Sequence, residues 1–175
     1  MINRCIVISG LIFLFFFGSQ ANAVAAESRA TATILTAVST SKNTDTSTAG
    51  DLAFGVIVPG ESSGTVTISP SPTSARTHDG GVELVASISG AASFNISGAA
   101  NTPYTVTLPD IDTIKISSGS NTMMVHSFTV SSTSGSLKLG SDGQGTFNVG
   151  GKLEVGEKQP AGNYIGTFEV TVAYQ

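Results

Sequence analysis

In the stretch Gly162–Gln175 (GNYIGTFEVTVAYQ) the even positions Tyr164, Gly166, Phe168, Val170, Val172 and Tyr174 are apolar or small, and the odd positions from Thr167 to Gln175 are mainly polar. Side chains alternate across a β-strand, so this pattern predicts a half-buried strand running to Gln175. The same alternation recurs in GTVTIS (64–69), VELVASIS (82–89), SFNIS (93–97), YTVTL (104–108), TIKIS (113–117) and HSFTVSS (126–132). Turn-forming runs separate them: PGESSG, SPSPTS, HDGG, GSDGQG and QPAGN. Helical periodicity is nearly absent. Short strands punctuated by Gly, Pro, Ser and Asn predict an all-β, antiparallel β-sandwich, here assigned to Gly50–Gln175.

Two segments of different character precede this body. In ESRATATILTAVST (27–40) Ala30, Ala32, Ile34, Thr36 and Val38 share one face and Arg29, Thr31 and Thr33 the other, which predicts a further strand. STSKNTDTSTAG (39–50) is small, polar and aperiodic, the composition of a flexible tether. A strand on such a tether can complete its own domain or reach a neighbouring molecule.

The N-terminus adds the compartment. Met1–Ala23 combines a positive charge at Arg4, an apolar run from Ile6 to Phe17 and the small-x-small sequence Ala21-Asn22-Ala23. That is the pattern of a secretory signal peptide, and the run is shorter than the roughly 20 residues a membrane-spanning helix needs. Export is therefore expected, to the periplasm, the cell surface or an extracellular fibre. Cys5, the sole cysteine, lies ahead of the apolar run and not at the cleavage site, so no lipid anchor is expected. The remaining 152 residues have no cysteine and no disulfide to offset a weak core. With Arg4 gone, seven basic residues face twelve acidic ones, a formal charge of −5 without a basic cluster. Nucleic acid and anionic membrane surfaces are poor candidate partners on that ground; no nucleic acid partner and no membrane span in the mature chain are expected.

Catalytic chemistry has little to draw on. Two histidines and no cysteine remove thiol nucleophiles and most zinc sites. His78-Asp79 lacks a G-x-S-x-G elbow and is read as a solvated turn, and His126 as a strand residue. Asp110-x-Asp112 and GSDGQG (140–145) lack the ligand spacing of a calcium loop and are read as turns. No enzymatic activity, cofactor or metal is expected. Phe54, Phe94, Phe128, Phe147 and Phe168 fall in strand-like segments and are assigned to the core. Tyr104 and Tyr164 are then the candidates for an exposed aromatic platform of the kind a sugar-binding sandwich uses.

Gly162, fourteenth from the end, and the penultimate Tyr174 on an alternating terminal strand resemble the last strand of chaperone–usher pilus subunits. GDLAFGVIVPG (50–60) resembles the Leu-x-Phe-Gly signature of archaic pilins and spore-coat-protein-U-like subunits through Leu52, Phe54 and Gly55. GTVTIS, YTVTL and AGNYIGTFEVTVAY follow in that group's order. The chain is similar as well to an uncharacterised family of secreted bacterial β-sandwich domains ending in a VGGxL…GxYxGTFxVTVxY block.

The pilin resemblance implies an immunoglobulin-like sandwich lacking one strand, whose bare groove is filled first by a periplasmic chaperone. The N-terminal strand of a neighbouring subunit then replaces the chaperone at an outer-membrane usher. Carried onto this chain, the donor is Ala30, Ala32, Ile34, Thr36 and Val38. The acceptor edge is Gly162, Tyr164, Phe168, Val170, Val172 and Tyr174. Polymerisation of identical copies by strand exchange, in a surface fibre serving adhesion or biofilm formation, follows as an expectation. A self-complemented secreted domain with an unidentified binding role is the alternative. The chain lacks the disulfide usual in the archaic group.

Overall fold

The computed structural model describes residues 32–45, 47–71, 73, 75–110, 114–132 and 135–175. The leader, Cys5 and Ala30 lie outside them. The chain divides into two units, Met1–Thr33 and Ile34–Gln175, and the fold is that of the second. Its described residues form nine strands and no helix: β1 (Ser39–Lys42), β2 (Ile57–Ile68), β3 (Arg76–Leu84), β4 (Ala92–Ser97), β5 (Tyr104–Thr107), β6 (Ile114–Ser118), β7 (Asn121–Ser132), β8 (Gln144–Val155) and β9 (Thr171–Tyr174). All pairings are antiparallel.

Strand β8 organises the larger sheet. It pairs with β4 over Gln144–Val149 and then with β2 over Gly151–Val155. The span Phe147–Glu154 also pairs with β7, which overlaps both partners and so occupies the other edge. β1 extends the sheet beyond β4, β3 beyond β2, and β6 beyond β7. β5 and β9 form a separate two-stranded layer.

One face of the larger sheet carries two cores that meet along β8. Ala92, Ile96, Tyr104, Leu139, Phe147 and Val149 form one, covered by Val106, Val172 and Tyr174 of the β5–β9 layer. Val66, Ile68, Val82, Val125, Leu153 and Val155 form most of the other, with Phe54 over it. Leu52 and Phe128 pack against both. They can do so because Gly151 lies beneath them: a Cβ there would sit 3.3 Å from Leu52 Cδ2 and 3.4 Å from Phe128 Cδ1. Each fully buried large aliphatic or aromatic side chain contributes about 1.5–3 kcal/mol, which lets a chain without disulfides hold this sheet together.

Four sequence expectations change. β8 begins at Gln144, inside the expected turn GSDGQG; its apolar residues Phe147, Val149, Leu153 and Val155 alternate with Asn148, Lys152 and Glu154, and over Phe147–Gly151 both faces are buried. PGESSG falls inside β2, at the register shift between Pro59 and Gly64, and His78–Gly81 inside β3, so His78 is an exposed strand residue instead of a turn residue. VELVASIS leaves the ladder after Leu84.

The terminal segments differ most. No strand forms over the described residues 32–38, and the ladder begins within the expected tether, at Ser39. An edge strand needs backbone groups more than apolar side chains, and Ser39–Lys42, exposed throughout, pairs with Phe94–Ser97. At the other end the ladder covers only Thr171–Tyr174, while Ile165 makes a separate bridge to Ser117. The burial alternation nevertheless holds from Phe168 to Tyr174, with Phe168, Val170, Val172 and Tyr174 turned inward.

Candidate functional site

The β5–β9 layer covers only part of the core face. Over the remainder lies a groove of about 1030 Å³ whose floor includes Val125, Leu153 and Val155. Leu52–Ile57 lines it from one part of the chain and Gln159–Phe168 from another. The Leu52, Phe54 and Gly55 motif and the Gly162, Tyr164 and Phe168 portion of the expected acceptor edge thus share one groove. Val170, Val172 and Tyr174 do not line it; they pack on the core beneath the β5–β9 layer.

The motif has a local physical cause. Ala53 exchanges two backbone hydrogen bonds of 2.9 Å with Gly90. Val56 accepts at 3.1 Å from Val85 N–H and donates at 2.8 Å to Ser87 Oγ. Phe54 and Gly55 lie between these contacts, outside any strand. Gly55 takes a φ of +72°, which favours glycine, and a Cβ there would lie 2.5 Å from Arg76 Nη1. Phe54 is driven into the core, 9% exposed, and its carbonyl accepts a 2.8 Å hydrogen bond from Arg76. The guanidinium also reaches Val85 O at 2.6 Å, with longer contacts of 3.4 Å to Val56 O and Ser87 Oγ.

The opposite wall is held at both ends. Phe168 lies edge-on to Phe94 at 6.5 Å and tilted against Phe128 at 5.2 Å. Tyr164 donates its hydroxyl hydrogen to Pro160 O at 2.7 Å and accepts from Gln159 Nε2 at 2.9 Å. Ile165 exchanges backbone bonds of 2.9 and 3.0 Å with Ser117. Between this bridge and β9, Gly166–Val170 form no backbone ladder with another described segment.

The expected donor residues are elsewhere. Ala32 is exposed, and Ile34 is 93% exposed. The Thr36 carbonyl accepts a 2.6 Å hydrogen bond from Tyr174, and Val38 packs against the core under the β5–β9 layer. Among the described residues none of them lines the groove. Arg76, Ile88 and Ile165 were missed as site residues. Ile88 and Ile165 line the groove with 68% and 65% of their surface exposed, and Arg76 braces its wall. An arginine that bonds only to carbonyls and a hydroxyl leaves no mark in sequence spacing.

Tyr104, expected as an exposed platform, is 1% exposed, packed in the core 6.3 Å from Phe147. Burial pushes its phenol pKa up, and Ser132 beside the hydroxyl offsets part of the shift. Tyr164 is half-buried, so the two do not form a platform. His126 lies on β7 with Nδ1 2.8 Å from Ser127 Oγ and Nε2 3.3 Å from Glu154 Oε1, the latter without hydrogen-bond alignment. Asp112 lies outside the described residues. Among the described residues no helix is long and apolar enough to cross a membrane.

These features define a class: an all-β domain in which a small second layer covers part of one core face and an apolar groove opens over the rest. The chain belongs to the family described as Domain of unknown function (DUF4402), whose model matches residues 44–174. No curated protein and no solved structure matches the chain.

Proposed function

We propose that the domain is a structural subunit of a surface fibre, exported through its N-terminal leader, without enzymatic activity, and assembled by accepting an extended segment of a neighbouring copy in this groove. The distribution of exposed apolar residues carries this reading. Seven large apolar side chains are exposed among the described residues, and they fall in two places. Val56, Ile88 and Ile165 line the groove, with Val58 and Val85 beside Val56. Ile34 and Leu35 occupy the segment ahead of β1. Exposed apolar clusters of this kind mark surfaces that are covered in the working assembly.

Burying Ile34 and Leu35 contributes about 1.5–3 kcal/mol each at most. Each backbone bond to the unladdered stretch Gly166–Val170 adds roughly 0.5–1.5 kcal/mol net. Such a seal is modest per residue and gains persistence from many bonds that must break together. On this reading the body is an immunoglobulin-like, pilin-like sandwich, and a periplasmic chaperone and outer-membrane usher protect and deliver it. Self-complementation is the second reading. The contact between Tyr174 and Thr36 favours it, because the exposed pair begins beside its own domain.

The cysteine-free mature chain permits a direct test by paired substitution, with Leu35→Cys combined with Ile165→Cys or Ile88→Cys under oxidising conditions. Disulfide-linked ladders of increasing mass support exchange between copies. A monomer closed by an internal disulfide supports self-complementation. Cysteines that stay free in both pairs reject the assignment of this segment to this groove.

A further inference from the structure

We propose that Arg76 is the positioning residue of the groove, holding the Leu52–Val56 wall and the loop after β3 as one rigid rim. The inference rests on the strand-accepting function for its consequence, but its geometry stands alone. The side chain leaves the first residue of β3 and makes its two shortest bonds, to Phe54 O at 2.8 Å and Val85 O at 2.6 Å, on two different segments. Further contacts to Val56 O and Ser87 Oγ flank Gly55. No ion pair forms between Arg76 and any described carboxylate.

The arrangement requires a guanidinium. Phe54 is buried but lies outside any ladder, so its carbonyl needs a donor from elsewhere. Arginine presents several N–H groups in a planar fork and can serve carbonyls on two segments at once. An ammonium carries its three donors on one nitrogen and cannot reproduce bonds made from two separate nitrogens, Nη1 to Phe54 O and Nη2 to Val85 O. The segments it joins carry Val56 and Ile88 at the groove, and backbone bonds at Val56–Val85 and Ala53–Gly90 also link them. Releasing the fork frees Phe54 O and leaves the wall and the loop joined, among the described residues, only by the Ala53–Gly90, Val56–Val85 and Val56–Ser87 bonds, which loosens the rim that an incoming strand meets.

The test uses the full mature chain as wild type, Arg76→Lys and Arg76→Met, with Val149→Ala as a control that loosens the other core without touching the rim. Amide hydrogen exchange at Ala53, Val56, Val85 and Gly90 reads the rim, and capture of a synthetic Glu27–Thr40 peptide reads the groove. The expected result is exchange faster by about tenfold to a hundredfold at those four amides in both Arg76 variants, the scale of losing one charge-assisted hydrogen bond, while β4 and β8 keep their protection. Peptide capture falls in both and holds in Val149→Ala. Unchanged rim protection in Arg76→Met, or full restoration by lysine, overturns the assignment. A wild-type chain that captures no peptide removes the strand-accepting function, and the exchange measurement alone then decides on Arg76.

Discussion

The hydroxyl of Tyr174 donates a 2.6 Å hydrogen bond to the carbonyl of Thr36 and accepts another of 2.6 Å from the backbone N–H of Ala99. One phenol near the end of the chain therefore joins the segment ahead of β1 to the loop after β4. It marks where that segment meets the body: Val38 and the strand after it are packed or paired, while Ile34 and Leu35 are exposed.

Tyr174→Phe keeps the ring and removes both bonds. Leaving the Ala99 N–H without its partner should lower stability by about 1–3 kcal/mol. In a domain of this size that is a fall in Tm of roughly 2–4 °C per kcal/mol. Limited proteolysis should cut more rapidly between Ile34 and Val38. A variant with unchanged Tm and unchanged cleavage would show that neither bond persists in solution.

Ile34→Asp and Leu35→Asp should separate assembly from folding. Both side chains are exposed, so the melting temperature of the isolated chain should stay within error of wild type. Self-association measured by sedimentation should be lost, because a carboxylate entering an apolar groove gives up its hydration without a partner. Wild-type assembly by either variant would assign the contact to other residues.

Gly151→Val addresses the junction of the two cores. The new side chain must displace Leu52 and Phe128, whose atoms already lie 3.3–3.4 Å from the nearest added carbon. Overpacking of this kind costs about 1–3 kcal/mol and should appear as a lower midpoint in chemical denaturation. Because Leu52 lines the groove, peptide capture should weaken as well. A midpoint equal to that of wild type would mean that the two side chains move aside freely.

Tyr104 supplies a pH signature. Its folded-state pKa is raised above that of an unperturbed phenol, about 10, chiefly by burial. Its contribution to stability is therefore complete below that value. It is lost as pH rises, because the unfolded chain ionises its phenol while the folded one resists. Between the two pKa values the loss is about 1.4 kcal/mol per pH unit for one proton. Tyr104→Phe should flatten the alkaline limb of a stability–pH curve and leave neutral pH almost unchanged. Identical alkaline slopes for the two proteins would show that the phenol is hydrated.

The sequence alone determined the class of the fold. Antiparallel strands, the absence of helix among the described residues and the inward face of Phe168, Val170, Val172 and Tyr174 were legible because side-chain alternation is a local property of each strand. It also singled out Leu52, Phe54, Gly55, Gly162 and Tyr164, which tertiary structure gathers around one groove. What the pattern missed had no local mark. β8 begins within the turn-like GSDGQG, and the burial of Asn148 on its polar side comes from neighbours distant in sequence; β1 is polar because an edge is recruited by its backbone; Tyr104 lies in the core because its partners come from distant strands. The bridge from Arg76 to Phe54 and Val85 joins segments that meet only after β2 and β3 have paired. Local periodicity sets which residues face inward, and long-range pairing decides which inward faces are covered and which remain open as a groove.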